Sequence, residues 1–196
     1  MAFPSDGVGL LERALGYALA GLDAVTPDAL PGPTPCRGWD LRALLAHLND
    51  SLAALGEAAD DHCVDLEVVP WTAARNDLDA VARCRDRARR MLGSWAGEAD
   101  RAGDRDRVVA VGGRPMRSTM VACVGAVEVA VHGWDIQRSC GRPRPIPPAL
   151  AAELLEIVPM LVTGAERPAK FAAPVPVAPS APPGDRLVAF LGRDPR

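Results

Sequence analysis

A carboxylate and an imidazole lie four residues apart in the apolar stretch from Gly125 to Gly141, which reads GAVEVAVHGWDIQRSCG. On a helix, side chains at positions i and i+4 lie on the same face, so Glu128 and His132 would point in one direction. Inward-facing carboxylate and imidazole groups form half of the kind of metal site that helical bundles build between facing helices. The stretch therefore indicates a candidate metal site that needs a further ligand from elsewhere in the chain.

The chain has three histidines, and His47 is the other one that falls on an apolar helical pattern. A divalent cation bound by His47, Glu128 and His132 would keep open coordination positions, as catalytic metal sites do. Two imidazoles and a carboxylate suit zinc, nickel, iron or manganese. The alternative is that all three are ordinary hydrogen-bonded helix residues, because this spacing alone is a weak signal. His62, in the polar segment DDHCVD, is predicted to be a surface residue.

Glu128 has no cationic residue within four positions on its own predicted helix, where it is surrounded by VGAVEVAV. A buried carboxylate without a positive partner carries a desolvation cost of several kcal/mol. Something positive must therefore meet it. A metal ion is one candidate, and an arginine from elsewhere in the chain, such as Arg37 or Arg75, is the other.

Two further residues near these ligands carry chemistry of their own. Asp135 follows His132 by three residues, so it could accept a hydrogen bond from an imidazole and orient it, or it could simply pair with Arg138. Cys36 lies in a proline-rich loop with Arg37 as the nearby charge. We interpret it as a buried structural thiol rather than as a nucleophile.

The composition is that of one globular domain with a tail, because 196 residues are too few to indicate two independent domains. The net charge of -3 and the mixing of acidic residues among the arginines argue against a nucleic-acid partner. The N-terminus lacks a basic segment and no window approaches a membrane span, so neither a signal peptide nor a membrane partner is predicted. Five widely spaced cysteines without a CxxC pair suit a reducing cytoplasm.

Apolar residues at three- and four-residue spacing predict an all-α fold. Four long helices are expected, running from Ser5 or Asp6 to about Val25, from Asp40 to Asp61, from Thr72 or Asp77 to about Ala102, and from Thr119 to Ser139. The run RVVAVGGRPMRS predicts a small β-hairpin between the third and fourth helices, with its turn at Gly112 and Gly113.

The chain after the fourth helix is rich in proline and alanine. A fifth helix is expected from Pro147 or Pro148 to about Val162, and a short helical turn from Asp185 to Leu191. We therefore predict a helical domain over residues 1–164 and an extended C-terminal segment over residues 165–196 that packs on it. Two GWD tripeptides, at residues 38–40 and 133–135, suggest tryptophans that fill gaps between helices.

Five strings of this chain occur in an order that resembles the DinB-like superfamily. They are PTPCRGWDLRALLAHL, RVVAVGGRPMRS, GAVEVAVHGWDIQRSCG, RPIPPAL and the closing FAAPVPV with DRLVAFLGRDP. The resemblance is specifically to actinobacterial proteins related to the N-terminal domain of mycothiol-dependent maleylpyruvate isomerase. It implies a four-helix bundle with a divalent metal on a histidine of the second helix and a Glu-x-x-x-His pair of a later one, positions matched here by His47, Glu128 and His132.

The resemblance also implies a function. In the isomerase the metal activates the thiol of mycothiol, so we expect a divalent-metal-dependent enzyme that activates mycothiol or a similar thiol for transfer to, or isomerisation of, an electrophilic small molecule. The isomerase has a further C-terminal domain that the segment after Gly164 is too short to form. A thiol-independent metal enzyme and a non-catalytic metal- or ligand-binding protein are the alternatives, and an apolar helix face could support a homodimer.

Overall fold

The computed structural model describes residues 6–65, 77–102, 107–162, 164, 167 and 171–196, with the side chains of the third helix described over 80–97. The described chain is mostly helical and includes one small sheet. The helices are α1 Gly7–Gly21, α2 Leu41–Asp60, α3 Asp77–Ala102, α4 Ser118–Ser139, α5 Pro148–Leu161 and α6 Pro183–Phe190. The strands are β1 Cys63–Val64, β2 Val108–Val111 and β3 Arg114–Arg117, and short 3₁₀ turns cover Leu22–Ala24 and Pro27–Ala29.

Aspartate side chains fix the starts of the first two helices. The Oδ1 atom of Asp6 accepts a hydrogen bond from the Gly9 amide at 2.9 Å, and Oδ1 of Asp40 accepts one from the Ala43 amide at 2.8 Å. Each contact satisfies an amide that lacks a partner within its helix. The cap at Asp40 also fixes where α2 begins, and therefore where its later residues point.

The predicted hairpin is present, and it belongs to a three-stranded sheet in the order β1-β2-β3. Strands β2 and β3 pair antiparallel through a turn at Gly112 and Gly113, whose φ angles are 55° and 75°. Positive φ at both positions is what a two-residue hairpin turn requires. Strand β1 pairs parallel with β2 and was not predicted from the sequence, because two residues are too few to show a strand pattern.

Helix α4 forms the centre of the core. It packs most extensively against α1, also contacts α2, and has a short contact with α5. Glycines permit the close approach, since a Cβ added at Gly133 would lie 2.8 Å from Ala18 and one at Gly125 would lie 2.5 Å from Leu55. Among the described residues, α4 has the length and apolar composition of a membrane span, but most of it is buried inside the fold, as in the core helix of a globular protein.

The C-terminal residues end in a helix whose termination directs one side chain inward. After α6, the Gly192 amide donates to the Ala189 carbonyl at 3.0 Å and the Arg193 amide donates to the Val188 carbonyl at 2.9 Å. Gly192 has a φ of 84°. This pattern is a Schellman motif, in which a glycine in the left-handed region reverses the chain. The side chain of the next residue, Arg193, is directed toward α4, where it contacts Asp135.

Most of the predicted helix ends agree with the structure, and α1 shows the clearest difference. It was predicted to reach Val25, but it ends at Gly21 and continues as the 3₁₀ turn Leu22–Ala24. Tightening of the last turn is common where a following proline, here Pro27, prevents the helix from continuing. The predicted turn near Asp185 is a complete helix, α6.

Several predictions fall on residues outside the described ranges. These are the helix starts proposed at Ser5 and Thr72, the candidate cation Arg75, and part of the boundary between residues 1–164 and 165–196. Within the described part of that last segment, the Val175 amide donates to the Ala189 carbonyl at 2.9 Å, so the chain around Val175 contacts the C-terminal turn of α6.

Candidate metal centre

The structure brings His47, Glu128 and His132 together where α2 meets α4. The Oε1 atom of Glu128 lies 2.6 Å from Nε2 of His47 and 3.2 Å from Nε2 of His132. One donor atom from each of the three residues lies within 4.8 Å of the other two. The i, i+4 spacing places Glu128 and His132 on one face of α4. The packing of α2 against that face brings His47 to the same point.

One side of this cluster is open to solvent. The His132 side chain is 8% exposed, whereas those of Glu128 and His47 are 33% and 39% exposed. The two imidazole rings meet edge to face, with centroids 5.0 Å apart and planes at 86°. The cluster thus has a buried wall formed by His132 and an accessible side formed by His47.

The described partners of Glu128 are neutral or titratable groups. Besides the two imidazoles, the Ser51 hydroxyl donates to Oε1 of Glu128 at 2.9 Å. Burial opposes ionisation of this carboxylate, but the charge of His132 and the hydrogen bonds from both histidines hold its pKa well below the usual value. The arginine proposed as an alternative partner, Arg37, is exposed.

Asp135 makes contact with the other nitrogen of His132. Its Oδ2 atom accepts a hydrogen bond from His132 Nδ1 at 3.0 Å, and the Asp135 side chain is completely buried. Burial opposes charge on His132, but the Glu128 carboxylate and the hydrogen bond to Asp135 raise the pKa of the imidazole well above its usual value. The expected alternative partner of Asp135, Arg138, instead lies over the Trp134 ring at 5.3 Å.

Two residues that sequence reasoning did not place in the site surround Asp135. Arg193 Nη2 donates to Oδ2 at 2.9 Å and Arg193 Nε donates to Oδ1 at 3.3 Å, while the Cys36 thiol donates to Oδ2 at 3.1 Å. Burial tends to raise the pKa of Asp135, but the hydrogen bond with His132 and the charge of Arg193 lower it. Cys36 was predicted to be a buried structural thiol, and it is half-buried within this polar network.

The two GWD tripeptides have different surroundings. Trp134 is buried and fills a gap in the core, as expected, whereas Trp39 is 36% exposed. The Trp39 ring lies against His47 at a centroid distance of 4.8 Å and nearly parallel to His132 at 6.2 Å. Trp39 therefore forms part of the accessible rim of the candidate metal centre.

The donor set fits a divalent cation. Two imidazole nitrogens and a carboxylate oxygen are ligands that zinc, nickel, iron and manganese share. His132 also has the support typical of a metal-binding histidine, because its second nitrogen donates to a carboxylate. Histidine ligands with such a partner have a fixed ring orientation and tautomer. In this arrangement, Nε2 of His132 is directed toward Glu128 and His47.

The fold and the cluster together define a helical protein with a histidine–carboxylate centre between two core helices. Comparison with known families is consistent with that class. Residues 11–137 match the family of the mycothiol maleylpyruvate isomerase N-terminal domain, which is about two thirds of the chain. The chain belongs to this family, and the matched range contains His47, Glu128, His132 and Asp135.

Similar whole proteins come from mycobacteria. Two proteins described as uncharacterized, MT0763 and Rv0738, from two strains of Mycobacterium tuberculosis, are each 29% identical to this chain over 196 residues. The alignments cover 94% of this chain and 96% of each relative. No solved structure matches the chain with significance. Because the alignments cover 94% of this chain, the similarity to these two proteins extends beyond residue 137, where the family match ends.

Proposed function

We propose that His47, Glu128 and His132 bind a divalent metal ion and that the protein uses it to act on a thiol. The thiol is mycothiol or a similar compound, and the reaction is its transfer to, or the thiol-dependent isomerisation of, an electrophilic small molecule. Membership of the mycothiol maleylpyruvate isomerase N-terminal domain family supports the thiol. The same proposal includes a four-helix bundle of the DinB-like type, a cytoplasmic location and, through an apolar helix face, a homodimer.

One observation carries the proposal: two imidazole nitrogens converge on a single carboxylate oxygen at 2.6 and 3.2 Å, on the solvent-accessible side of a core helix. A structural metal site is normally closed by four protein ligands, whereas a catalytic site keeps a position for water or substrate. The exposure of His47 and Glu128 favours the open kind. It also favours an enzyme over a protein that only stores metal.

Each residue of the site would have a separate role in binding the metal or the thiol. When bound, a divalent cation supplies a Lewis acid that favours the thiolate form of a thiol. Glu128 contributes the negative charge that attracts the cation, and Ser51 holds the Glu128 carboxylate in place. Asp135 keeps the proton of His132 on Nδ1, which leaves Nε2 free to bind. Trp39 offers an apolar face beside the open position.

The first experiment measures metal. Protein purified without chelator should contain about one equivalent of zinc, nickel, iron or manganese by elemental analysis, a stoichiometry expected for a three-ligand centre. His132→Ala should remove it. His62→Ala is the matched control, because it deletes a histidine remote from the cluster and should leave the metal in place. Absence of metal from all three proteins would refute the proposal.

The second experiment tests the thiol. With metal bound, mycothiol should raise the melting temperature of the wild-type protein in proportion to its concentration, because a ligand that binds only the native state stabilises it. The same thiol should have no effect on His132→Ala. Full metal content without any response to mycothiol would favour the thiol-independent enzyme, in which the metal activates water or polarises a carbonyl.

A further inference from the structure

Both oxygens of the Asp135 carboxylate accept hydrogen bonds, and one of the donor residues lies near the C-terminal end of the chain. Oδ2 accepts from His132, Cys36 and Arg193, and Oδ1 accepts from Nε of Arg193. Arg193 follows Asp135 by 58 residues and lies outside the part of the chain that matches the family. Its side chain is 10% exposed.

The guanidinium is held on its other edges as well. Arg193 Nη1 donates to the Leu191 carbonyl at 3.1 Å, and Nη2 also approaches the Cys36 sulfur at 3.2 Å. The backbone of Arg193 is fixed by the Schellman motif, whose Gly192 lies so close to Ala172 that an added Cβ would be 2.8 Å from the Ala172 carbonyl oxygen. Arg193 is therefore a pre-organised two-point clamp on a buried carboxylate.

We propose that Arg193 is a positioning residue of the candidate metal centre. It clamps Asp135, and Asp135 in turn holds the His132 ring with Nδ1 inward and Nε2 directed toward Glu128 and His47. The metal-dependent part of this inference rests on the proposed function, whereas the orientation of the ring does not. On this basis the C-terminal residues help to position the side chains of the centre and do not merely pack on the helices.

The geometry distinguishes this role from simple anchoring of the C-terminus. Arg167 also ties the C-terminal residues together: its Nη1 donates to the Phe190 carbonyl at 3.0 Å and its guanidinium lies 4.6 Å above the Phe190 ring. Among the described residues, the hydrogen bonds and the ring contact of Arg167 reach Ala172 and Phe190, and not Asp135 or His132. If anchoring were all that mattered, the loss of Arg167 would affect the centre as much as the loss of Arg193.

The experiment compares Arg193→Gln, Arg193→Lys and Arg167→Ala with the wild-type protein. The first readout is zinc affinity, measured by competition with a chromogenic chelator. Loss of a group that supports a metal-binding histidine typically lowers affinity by about 10- to 100-fold. We expect roughly a tenfold loss for Arg193→Gln, a smaller loss for Arg193→Lys, which keeps the charge, and a change below about twofold for Arg167→Ala.

The second readout uses protein stripped of metal, so it does not depend on the proposed function. Two-dimensional NMR of ¹⁵N-histidine-labelled protein identifies which ring nitrogen of His132 carries the proton and how fast that proton exchanges. We expect a protected Nδ1 proton in the wild type and in Arg167→Ala, and faster exchange of that proton in Arg193→Gln, because Asp135 is then no longer clamped in place. Free guanidinium added to Arg193→Gln should restore part of the protection.

The outcomes separate the two proposals. If wild-type protein binds no zinc but Arg193→Gln releases the Nδ1 proton, the proposed function fails while the positioning role of Arg193 stands. If Arg193→Gln and Arg167→Ala behave alike in both readouts, Arg193 only anchors the C-terminus and the inference is overturned. Unchanged His132 exchange in a folded Arg193→Gln protein would overturn it equally.

Discussion

Glu128 and Asp135 are carboxylates about two turns apart on α4, with His132 between them, and they contact opposite nitrogens of that imidazole. Asp135 is completely buried and clamped by a permanently charged guanidinium. Glu128 is one-third exposed, and its described partners are two imidazoles and a hydroxyl. The same helix thus presents one carboxylate with a fixed cation and one without.

This difference in partners indicates a different role for each carboxylate. A buried charge that already has a bidentate cation is fully compensated and gains little from a metal ion. A carboxylate whose partners can give up their protons is free to exchange them for a metal ion, because metal ligands must be deprotonated. Although Cys36, His132 and Asp135 could also form a three-ligand group, Arg193 occupies the cationic position there. This comparison supports Glu128, rather than Asp135, as the carboxylate of the proposed cation site.

The largest expected effect is on stability at the clamped carboxylate. Asp135→Ala leaves Arg193 buried without its partner, and removal of one member of a buried ion pair typically costs about 3–5 kcal/mol. Urea denaturation should show a fall in the free energy of unfolding of that order at constant m-value. Asp194→Ala, which removes an exposed carboxylate paired with Arg196, is the control and should change nothing measurable. A change equally small for Asp135→Ala would contradict the comparison.

The next largest effect is on metal binding at the open carboxylate. Glu128→Gln preserves the shape of the side chain but removes the charge, so zinc affinity should fall by more than about 100-fold, the upper value for groups that only support a ligand. The free energy of unfolding should change by less than about 1 kcal/mol, because the residue is partly exposed. Glu153→Gln, at the surface pair with Arg13, is the matched control for both measurements. Retained zinc affinity would place the metal elsewhere.

The smallest effects concern the neutral donor beside each carboxylate. Ser51→Ala should lower zinc affinity by about threefold without affecting stability, while Cys36→Ala should lower the free energy of unfolding by roughly 1 kcal/mol, the usual contribution of one hydrogen bond. Chelator competition and urea denaturation measure the two changes. The controls are Ser94→Ala, which removes a hydroxyl that bonds within α3 to the Arg90 carbonyl, and Cys63→Ala, which removes an exposed thiol. If Cys36→Ala lowered zinc affinity more than Ser51→Ala did, the result would indicate that the metal binds near Asp135 instead.

The sequence was sufficient to predict the part of the site that lies on regular helices. Apolar periodicity defined α2 and α4, and the i, i+4 relation then placed Glu128 and His132 on one face. The approach of His47 depends on the packing of α2 against α4, which periodicity allows but does not dictate. The helical pattern put His47 forward as the third candidate, and the family resemblance then made that assignment specific.

The other half of the site depends on irregular chain, whose path periodicity cannot give. Cys36 and Trp39 reach α4 from a proline-rich loop, and Arg193 reaches it from beyond α6. The sequence did contain a local signal near Arg193. The glycine of the LGR tripeptide, directly after an apolar helical pattern, predicts a Schellman motif. That signal indicates a reversal of the chain after Leu191, but not that the reversed residue meets Asp135.

The positions of the candidate ligands along the chain have a consequence for folding during translation. His47 precedes Glu128 by 81 residues, and α4 must insert between α1 and α2 before the two side chains meet. Contacts of such long sequence separation form late in folding, because closure of the intervening chain opposes them. A growing chain that ends within α3 therefore presents His47 to metal ions without Glu128 and His132, the two candidate ligands of α4. The proposed centre can therefore discriminate between metal ions only after α2 and α4 have packed together.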